Sequence, residues 1–335
     1  MRLRILLLIL PAFIIISSFL IYTLIVDFKN IILGISLSFI YILVSIILFK
    51  TGIHTHKSNF ENISKSTVDI QKVGFIFEDG VKSSANFYRS ISDTILTLKG
   101  RRYPEPKPTI IFFHGFWAKK EENEIYLITL AHMGYLTVAF DQRGHGEAGG
   151  KKSDWFKLYD DVNSVLDFIC SFEDVRKGAL CCIGKSMGGT SVLTKCYVDK
   201  RIAMVIGMSA LHSVELLLEA KFRILSAGWF VKRIISKVED ERALKTTAHY
   251  YLKKDAEYNK NRVYLIHAKD DHIFPYSISF EMNKKQAKIP ENHAILLDDC
   301  KHSLNGQEFI IFGIILKWIS ENEVMNFKSI TNSNG

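Results

Sequence analysis

Gly184-Lys185-Ser186-Met187-Gly188-Gly189 decides the reading of this chain. The pattern is G-x-S-x-G. An apolar run from Ala179 to Ile183 precedes it with the character of a buried strand, and Thr190 to Tyr197 follows with the character of a helix. A serine on so tight a strand-to-helix turn needs small neighbours, which Gly184 and Gly188 supply, and its hydroxyl is thrust clear of the sheet edge. The Met187 amide falls at a helix N-terminus, where unpaired N–H groups can meet an oxyanion. The stretch therefore predicts an exposed, reactive serine between strand and helix.

A serine hydroxyl is a poor nucleophile until a base takes its proton, and the base needs an acid to orient it. For a turn of this kind the acid and then the histidine should follow in the chain. His267-Ala-Lys-Asp270-Asp271-His272-Ile-Phe-Pro275 leaves a strand-like run, Val263 to His267, so either aspartate stands at a strand's carboxyl end. Asp271 is preferred because Pro275, four residues on, should fix the loop; Asp270 is the alternative. His302 is the candidate base, in the loop between the last predicted strand, Ala294 to Leu297, and the closing helix. His293 lies before that strand, His272 adjoins the acid, and His267 ends its strand and is expected to pack or hydrogen-bond locally. The second oxyanion donor is expected from His114-Gly115-Phe116-Trp117, at the end of the strand Thr109 to Phe113. There the Phe116 N–H is the donor, Gly115 gives the backbone room, and His114 braces the loop. Asp141-Gln142-Arg143-Gly144-His145-Gly146 ends the next strand and reads as a loop-bracing network.

Around these motifs the chain alternates. Val73 to Glu78 and Ser84 to Tyr88 form a predicted hairpin across Asp79-Gly80. From Thr109 onward strands (109–113, 136–140, 179–183, 203–207, 263–267, 294–297) alternate with helices (124–133, 155–172, 309–320), which implies a parallel sheet covered on both faces. The closing helix is apolar almost all round and is expected to be well buried. Residues 211–260 interrupt the alternation with a basic, amphipathic helical stretch, read either as lying on an anionic membrane surface or as a cap packed on the core, and in either case expected to cover the serine as a lid.

Two apolar runs, Ile5 to Val26 and Ile31 to Phe49, are each about long enough to cross a bilayer. Asp27-Phe28-Lys29-Asn30 separates them. Arg2, Arg4, Lys50 and Lys57 flank the pair, a bias that predicts both ends on the cytoplasmic side. The expected organisation is a transmembrane hairpin over 1–50, a tether over 51–66 and a catalytic domain over 67–325. The expected location is the cell membrane, with two spans and the catalytic domain in the cytoplasm.

The 335 residues carry a net charge of +8 and 48% hydrophobic residues. No basic stripe interleaved with aromatics and no nucleic-acid motif accompanies that charge, so the reading includes a membrane partner and no nucleic acid. Five cysteines (170, 181, 182, 196, 300) lie mostly in apolar runs without a C-x-x-C pair, as reduced core residues would. Zinc-ligand spacing, a P-loop and a dinucleotide fingerprint are absent, and neither metal nor cofactor is expected.

With these residues in view, the HGF loop, the DQRGHG loop, GKSMGG, D-H-I-F-P and the late histidine resemble the α/β-hydrolase superfamily over about Val73 to Ser320. The sequence is most similar to its serine aminopeptidase and monoacylglycerol-lipase-like group. The resemblance implies a mostly parallel eight-stranded sheet with a helical lid, preceded here by the two transmembrane helices. It implies hydrolysis of carboxylic esters, or less often amides, through an acyl-enzyme on Ser186 without a metal. Ala268 stands where many relatives have glycine, and Glu147 follows DQRGHG where relatives often have serine. The expected function is a membrane-anchored serine hydrolase acting on lipid-like acyl esters. The alternatives are an aminopeptidase-type peptidase and a non-catalytic membrane scaffold.

Overall fold

The computed structural model describes residues 65–92, 106–152, 154–222 and 247–325. Eight strands form one sheet in the order β1-β2-β4-β3-β5-β6-β7-β8. They are β1 (Val68–Ile76), β2 (Lys82–Ser90), β3 (Lys107–Phe113), β4 (Leu136–Phe140), β5 (Val175–Lys185), β6 (Ile202–Met208), β7 (Val263–Ala268) and β8 (Ala294–Leu297). The first two make an antiparallel hairpin, and β2 pairs antiparallel with β4. Every other pair, from β4–β3 to β7–β8, is parallel.

The period-two alternation of the strands feeds two separate cores. From β3, Ile111 and Phe113 enter one and Ile110 and Phe112 the other; from β5, Leu180 and Cys182 oppose Cys181 and Ile183. One face is covered by α1 (Glu124–His132) and the closing helix, which give it Leu127, Leu130, Ile311, Ile315 and Trp318. The other is covered by α2 (Trp155–Cys170) and by α3 (Met187–Ser191) with the π-helical turn that extends it, Val192–Cys196. Val162, Val165, Ile169, Leu193 and Tyr197 pack there. All five cysteines are free thiols, and all but Cys170 are buried. The central strands carry near-continuous apolar runs because both of their faces are covered.

After α4 (Val214–Phe222) the inserted stretch lies outside the described residues until 247, where α5 (Ala248–Leu252) follows. The two described ends of the insertion are clipped together. His212 Nδ1 donates to Asn283 Oδ1 (2.8 Å), Asn283 lying in α6 (Phe280–Gln286), which leaves the His212 Nε2 lone pair free. His249 Nδ1 approaches that Nε2 at 3.2 Å and Gln286 Oε1 at 2.9 Å, and the His249 amide donates to the His212 carbonyl.

Two expectations need correction. The closing helix, α7 (Glu308–Glu321), is not buried all round: Phe309 is 72% and Ile310 54% exposed, because only the face carrying Ile311, Ile315 and Ile319 meets the sheet. The multi-pass membrane location with a cytoplasmic catalytic domain is also withdrawn. Among the described residues no helix is long and apolar enough to cross a membrane. The two runs that suggested spans, 5–26 and 31–49, and the tether up to residue 64 lie outside the described residues, as do residues 223–246 of the lid expected over 211–260.

Candidate active site

The site is built at the carboxyl edge of the sheet, from the ends of β3, β5, β6, β7 and β8. Parallel pairing sets Phe113 of β3 beside Gly184 of β5, and Gly184 beside Gly207 of β6. The loops that follow these strands therefore leave from one line.

Ser186 occupies the turn between β5 and α3 with φ 56° and ψ −115°, backbone that a non-glycine residue holds only under strain. Its amide donates to the Met208 carbonyl (2.8 Å), and its carbonyl accepts the Thr190 amide (2.9 Å). The flanking glycines have no alternative. A Cβ on Gly184 would stand 2.1 Å from the Gly188 carbonyl oxygen, and one on Gly188 would stand 2.1 Å from that of Phe113. Both obstacles are backbone and cannot swing aside. Gly188→Ala is expected to lower labelling of Ser186 by a fluorophosphonate at least about 100-fold or to prevent folding. Gly313→Ala, in α7 where nothing lies within 4 Å, should be neutral or stabilising by about 0.5–1 kcal/mol. Equal behaviour of the two variants, in labelling and in melting, would contradict this.

The structure brings Ser186, His302 and Asp271 together. His302 Nδ1 lies 2.7 Å from Asp271 Oδ2, and His302 Nε2 lies 2.7 Å from Ser186 Oγ. An ionised carboxylate only accepts, so Nδ1 carries the proton and Nε2 turns its lone pair to the serine, whose hydroxyl donates. The base is held from behind, where the Ser209 hydroxyl at the end of β6 donates to the His302 carbonyl (2.9 Å). Asp271 is buried, and its Oδ1 accepts the amides of Ile273 and Phe274, both at 2.8 Å. Burial opposes its charge, but hydrogen bonds from His267, His302 and the Phe274 amide outweigh burial and hold the carboxyl well below the usual range. Asp270, the alternative acid, is exposed on the same loop, as is His272. His293 stacks on Tyr264 with ring centroids 4.0 Å apart. His267 hydrogen-bonds locally, as expected, through Nε2 to the Phe274 carbonyl (2.8 Å), and the same Nε2 also reaches Asp271 Oδ2 (3.2 Å). A histidine four residues before the acid, at the last turn of a strand, was the signal for that contact.

The loop after β3 lies against the serine, since a Cβ on Gly115 would come within 3.6 Å of Ser186 Cβ. Phe116 of that loop packs with Met187, Leu158 and Tyr159. Met187 opens α3, so its amide has no intrahelical acceptor. The loop is fastened by the segment after β4. The Gln142 amide donates to His114 Nε2 (3.0 Å), and the Gln142 side chain donates to the His114 carbonyl (2.6 Å). His114 Nδ1 in turn donates to the Gly115 carbonyl (2.8 Å). Burial lowers the His114 pKa to about 4, which keeps Nε2 free to accept. The Arg143 guanidinium forks between Asp161 and Asp79, and the His145 ring packs edge-on against Phe116. Asp141, fully buried, takes Lys120 Nζ at 2.6 Å, the Lys120 amide at 2.9 Å and the Glu147 amide at 3.0 Å. Glu147 in turn accepts from Lys120 and from the Ser84 hydroxyl.

Two histidines make the structure acid-sensitive. Burial lowers both His114 and His212 to about 4, from an ordinary value near 6.5. The unfolded chain binds protons at these groups below about pH 6.5 and the folded one resists to about 4, so stability is full above that window and lost as pH falls through it. The thermal midpoint should fall between pH 6.5 and 4.5, less steeply in His212→Gln. A flat wild-type profile over that range would contradict this.

No group of three or more His, Cys, Asp or Glu among the described residues is placed to hold a metal. What the arrangement can do is polarise one serine hydroxyl beside two strand-end loops.

The sheet order, with its single antiparallel hairpin, and the strained serine after β5 fix the architecture. The chain has the α/β-hydrolase fold. A family model described as serine aminopeptidase, S33, matches residues 104–261. The chain is 29% identical over 143 residues to an uncharacterised protein of Pseudomonas aeruginosa, covering 42% of this chain and 36% of that one. It is 23% identical over 211 residues to 2,6-dihydropseudooxynicotine hydrolase of Paenarthrobacter nicotinovorans, covering 60% of this chain and 54% of that one. The matches thus span about a third to a half of these relatives. Among solved structures, an acetyl xylan esterase from Paenibacillus sp. R4 superposes with a TM-score of 0.56 at 18% identity, over 78% of this chain and 87% of that one. The Pyrococcus furiosus esterase Pf2001 gives 0.55 at 17% identity, over 79% and 97%. At such identities the structural likeness speaks for the α/β-hydrolase fold alone.

Proposed function

We propose that this α/β-hydrolase is a serine hydrolase that cleaves carboxylic esters through an acyl-enzyme on Ser186. The observation that carries the reading is the unbroken relay from Asp271 Oδ2 through His302 to Ser186 Oγ, with both contacts at 2.7 Å and the serine on a strained turn. In this mechanism His302 Nε2 takes the serine proton as Oγ attacks the acyl carbonyl, and Asp271 stabilises the imidazolium. The amides of Phe116 and Met187 receive the oxyanion. His302 then protonates the leaving alkoxide, and water repeats the sequence to release the acid. No step calls for a metal or cofactor.

The acyl group we assign is apolar and lipid-like. Support comes from Phe116, Met187, Leu158 and Tyr159, which pack together beside the nucleophile. A series of p-nitrophenyl esters from acetyl to dodecanoyl tests this, with an aminoacyl-amide as the peptidase arm. The reading expects kcat/KM to rise with chain length and the amide to be turned over far more slowly. Preference for acetyl esters would remove the lipid-like class; amide turnover above ester turnover would favour the aminopeptidase described by the matching family model.

A further inference from the structure

We propose that His267 is a positioning residue for the reacting pair, setting His302 through Asp271 and Phe274. The inference rests on the reading of Ser186, His302 and Asp271 as a hydrolytic triad and deepens it.

His267 is the penultimate residue of β7 and is 1% exposed. Its Nε2 lies 2.8 Å from the Phe274 carbonyl and 3.2 Å from Asp271 Oδ2. Both partners accept, so Nε2 carries a proton and shares it between them. Two consequences follow. The first concerns shape. Phe274 is fixed at three points: its carbonyl by His267, its amide by Asp271 Oδ1, and its ring edge-on against the His302 imidazole with centroids 4.9 Å apart. Without the His267 donor a carbonyl loses its buried partner, and the ring that backs the base loses its anchor. The second concerns charge. Asp271 receives four donors, two amides on Oδ1 and two imidazoles on Oδ2, which fills its lone pairs and stops it rotating. The His267 N–H draws on the same oxygen that holds His302 Nδ1–H. It thereby weakens that oxygen's grip on the imidazolium that forms when His302 takes the Ser186 proton.

Other titratable groups on the two loops do not substitute for it. Asp270, His272, Asp298, Asp299 and Lys301 are exposed, and burial pushes the Cys300 thiol up, away from ionisation. Lys185, on the elbow strand, is held down by burial and is nearest in charge to Glu122 and Glu308.

The test is the rate of Ser186 modification by a fluorophosphonate from pH 5 to 9, in wild type, His267→Phe and His267→Gln, with Ser186→Ala as control and melting curves for all. This readout needs no knowledge of the natural substrate. His267→Phe should react about 10–100-fold more slowly at neutral pH, with the acid limb of its profile displaced upward. His267→Gln, which keeps a donor, should recover most of the rate and return the limb toward its wild-type position. A folded His267→Phe with wild-type rate and limb overturns the proposal. So does a uniform loss at every pH that glutamine does not recover, which is what a packing role would give. If His267→Phe does not fold, ring 15N spectra of the wild type decide: a solvent-protected Nε2–H on His267 is expected, and an Nδ1–H tautomer overturns it. Folded wild type that is not modified, or Ser186→Ala that is, would instead overturn the triad reading itself.

Discussion

Ser186→Ala is expected to lower ester hydrolysis by roughly 10³–10⁶-fold and to abolish fluorophosphonate labelling, while the melting temperature stays within a few degrees of wild type. The size follows from the geometry. In the proposed mechanism alanine removes the atom that would bond to the acyl carbon, and it leaves the relay from Asp271 to His302 with nothing to activate. The fold loses little, because what ties Ser186 into the structure is its backbone: the amide to Met208 and the carbonyl to Thr190. The strained φ of 56° remains and is no worse for alanine. Labelling by gel fluorescence and a melt on the same preparation settle the matter. Retained labelling would place the reactive hydroxyl elsewhere.

The second large effect is on stability. Lys120→Met should cost about 3–5 kcal/mol in denaturant-induced unfolding. Lys120 is 2% exposed and Asp141 fully buried, and the ammonium lies 2.6 Å from one Asp141 oxygen and 3.0 Å from Glu147. Burial alone would favour the neutral amine, but the hydrogen bonds to Asp141 and Glu147 outweigh it and hold the charge in place. Methionine fills much the same volume and leaves a buried carboxylate with two amide donors and no cation. Removing both partners, as in Lys120→Met with Asp141→Leu, should cost less than the sum of the single changes, since each single change strands a charge. A loss for Lys120→Met below about 1 kcal/mol would show that water and the two remaining amides satisfy Asp141 without the cation.

Most of this fold was legible because its signals are local. β4 and β8 begin and end where their apolar runs do, and β2, β3, β5, β6 and β7 extend the predicted cores by a few residues; β1 is displaced, running from Val68 to Ile76 where 73–78 was expected. Ser186, Asp271 and His302 were each marked by position relative to a strand end, and chain order did the rest. Less legible were features that depend on partners distant in sequence. Nothing in the string GFWAKK says that Lys120 is buried; its partner Asp141 lies beyond an intervening helix. Nothing in EFIIFGII says which side of α7 will be covered, because the periodicity is drowned by apolar residues on every face. For His267 the sequence predicts local packing or hydrogen bonding, and the bond to the Phe274 carbonyl fits that; its contact with Asp271 is not legible from the spacing alone, because it depends on the ring turning toward the loop that leaves its own strand. The lid was expected over 211–260, and residues 223–246 of that stretch lie outside the described residues.

The register of β3 against β5 has a consequence for redesign. Phe113 and Gly184 are ladder partners, so the span between the Phe116 loop and the nucleophile begins as the interstrand spacing common to every parallel pair. That ruler does not depend on any surface loop. Side chains on the loops that leave β3, β4 and β7 can be exchanged to alter which molecules are admitted, while the reacting atoms keep the separation the sheet has already measured out.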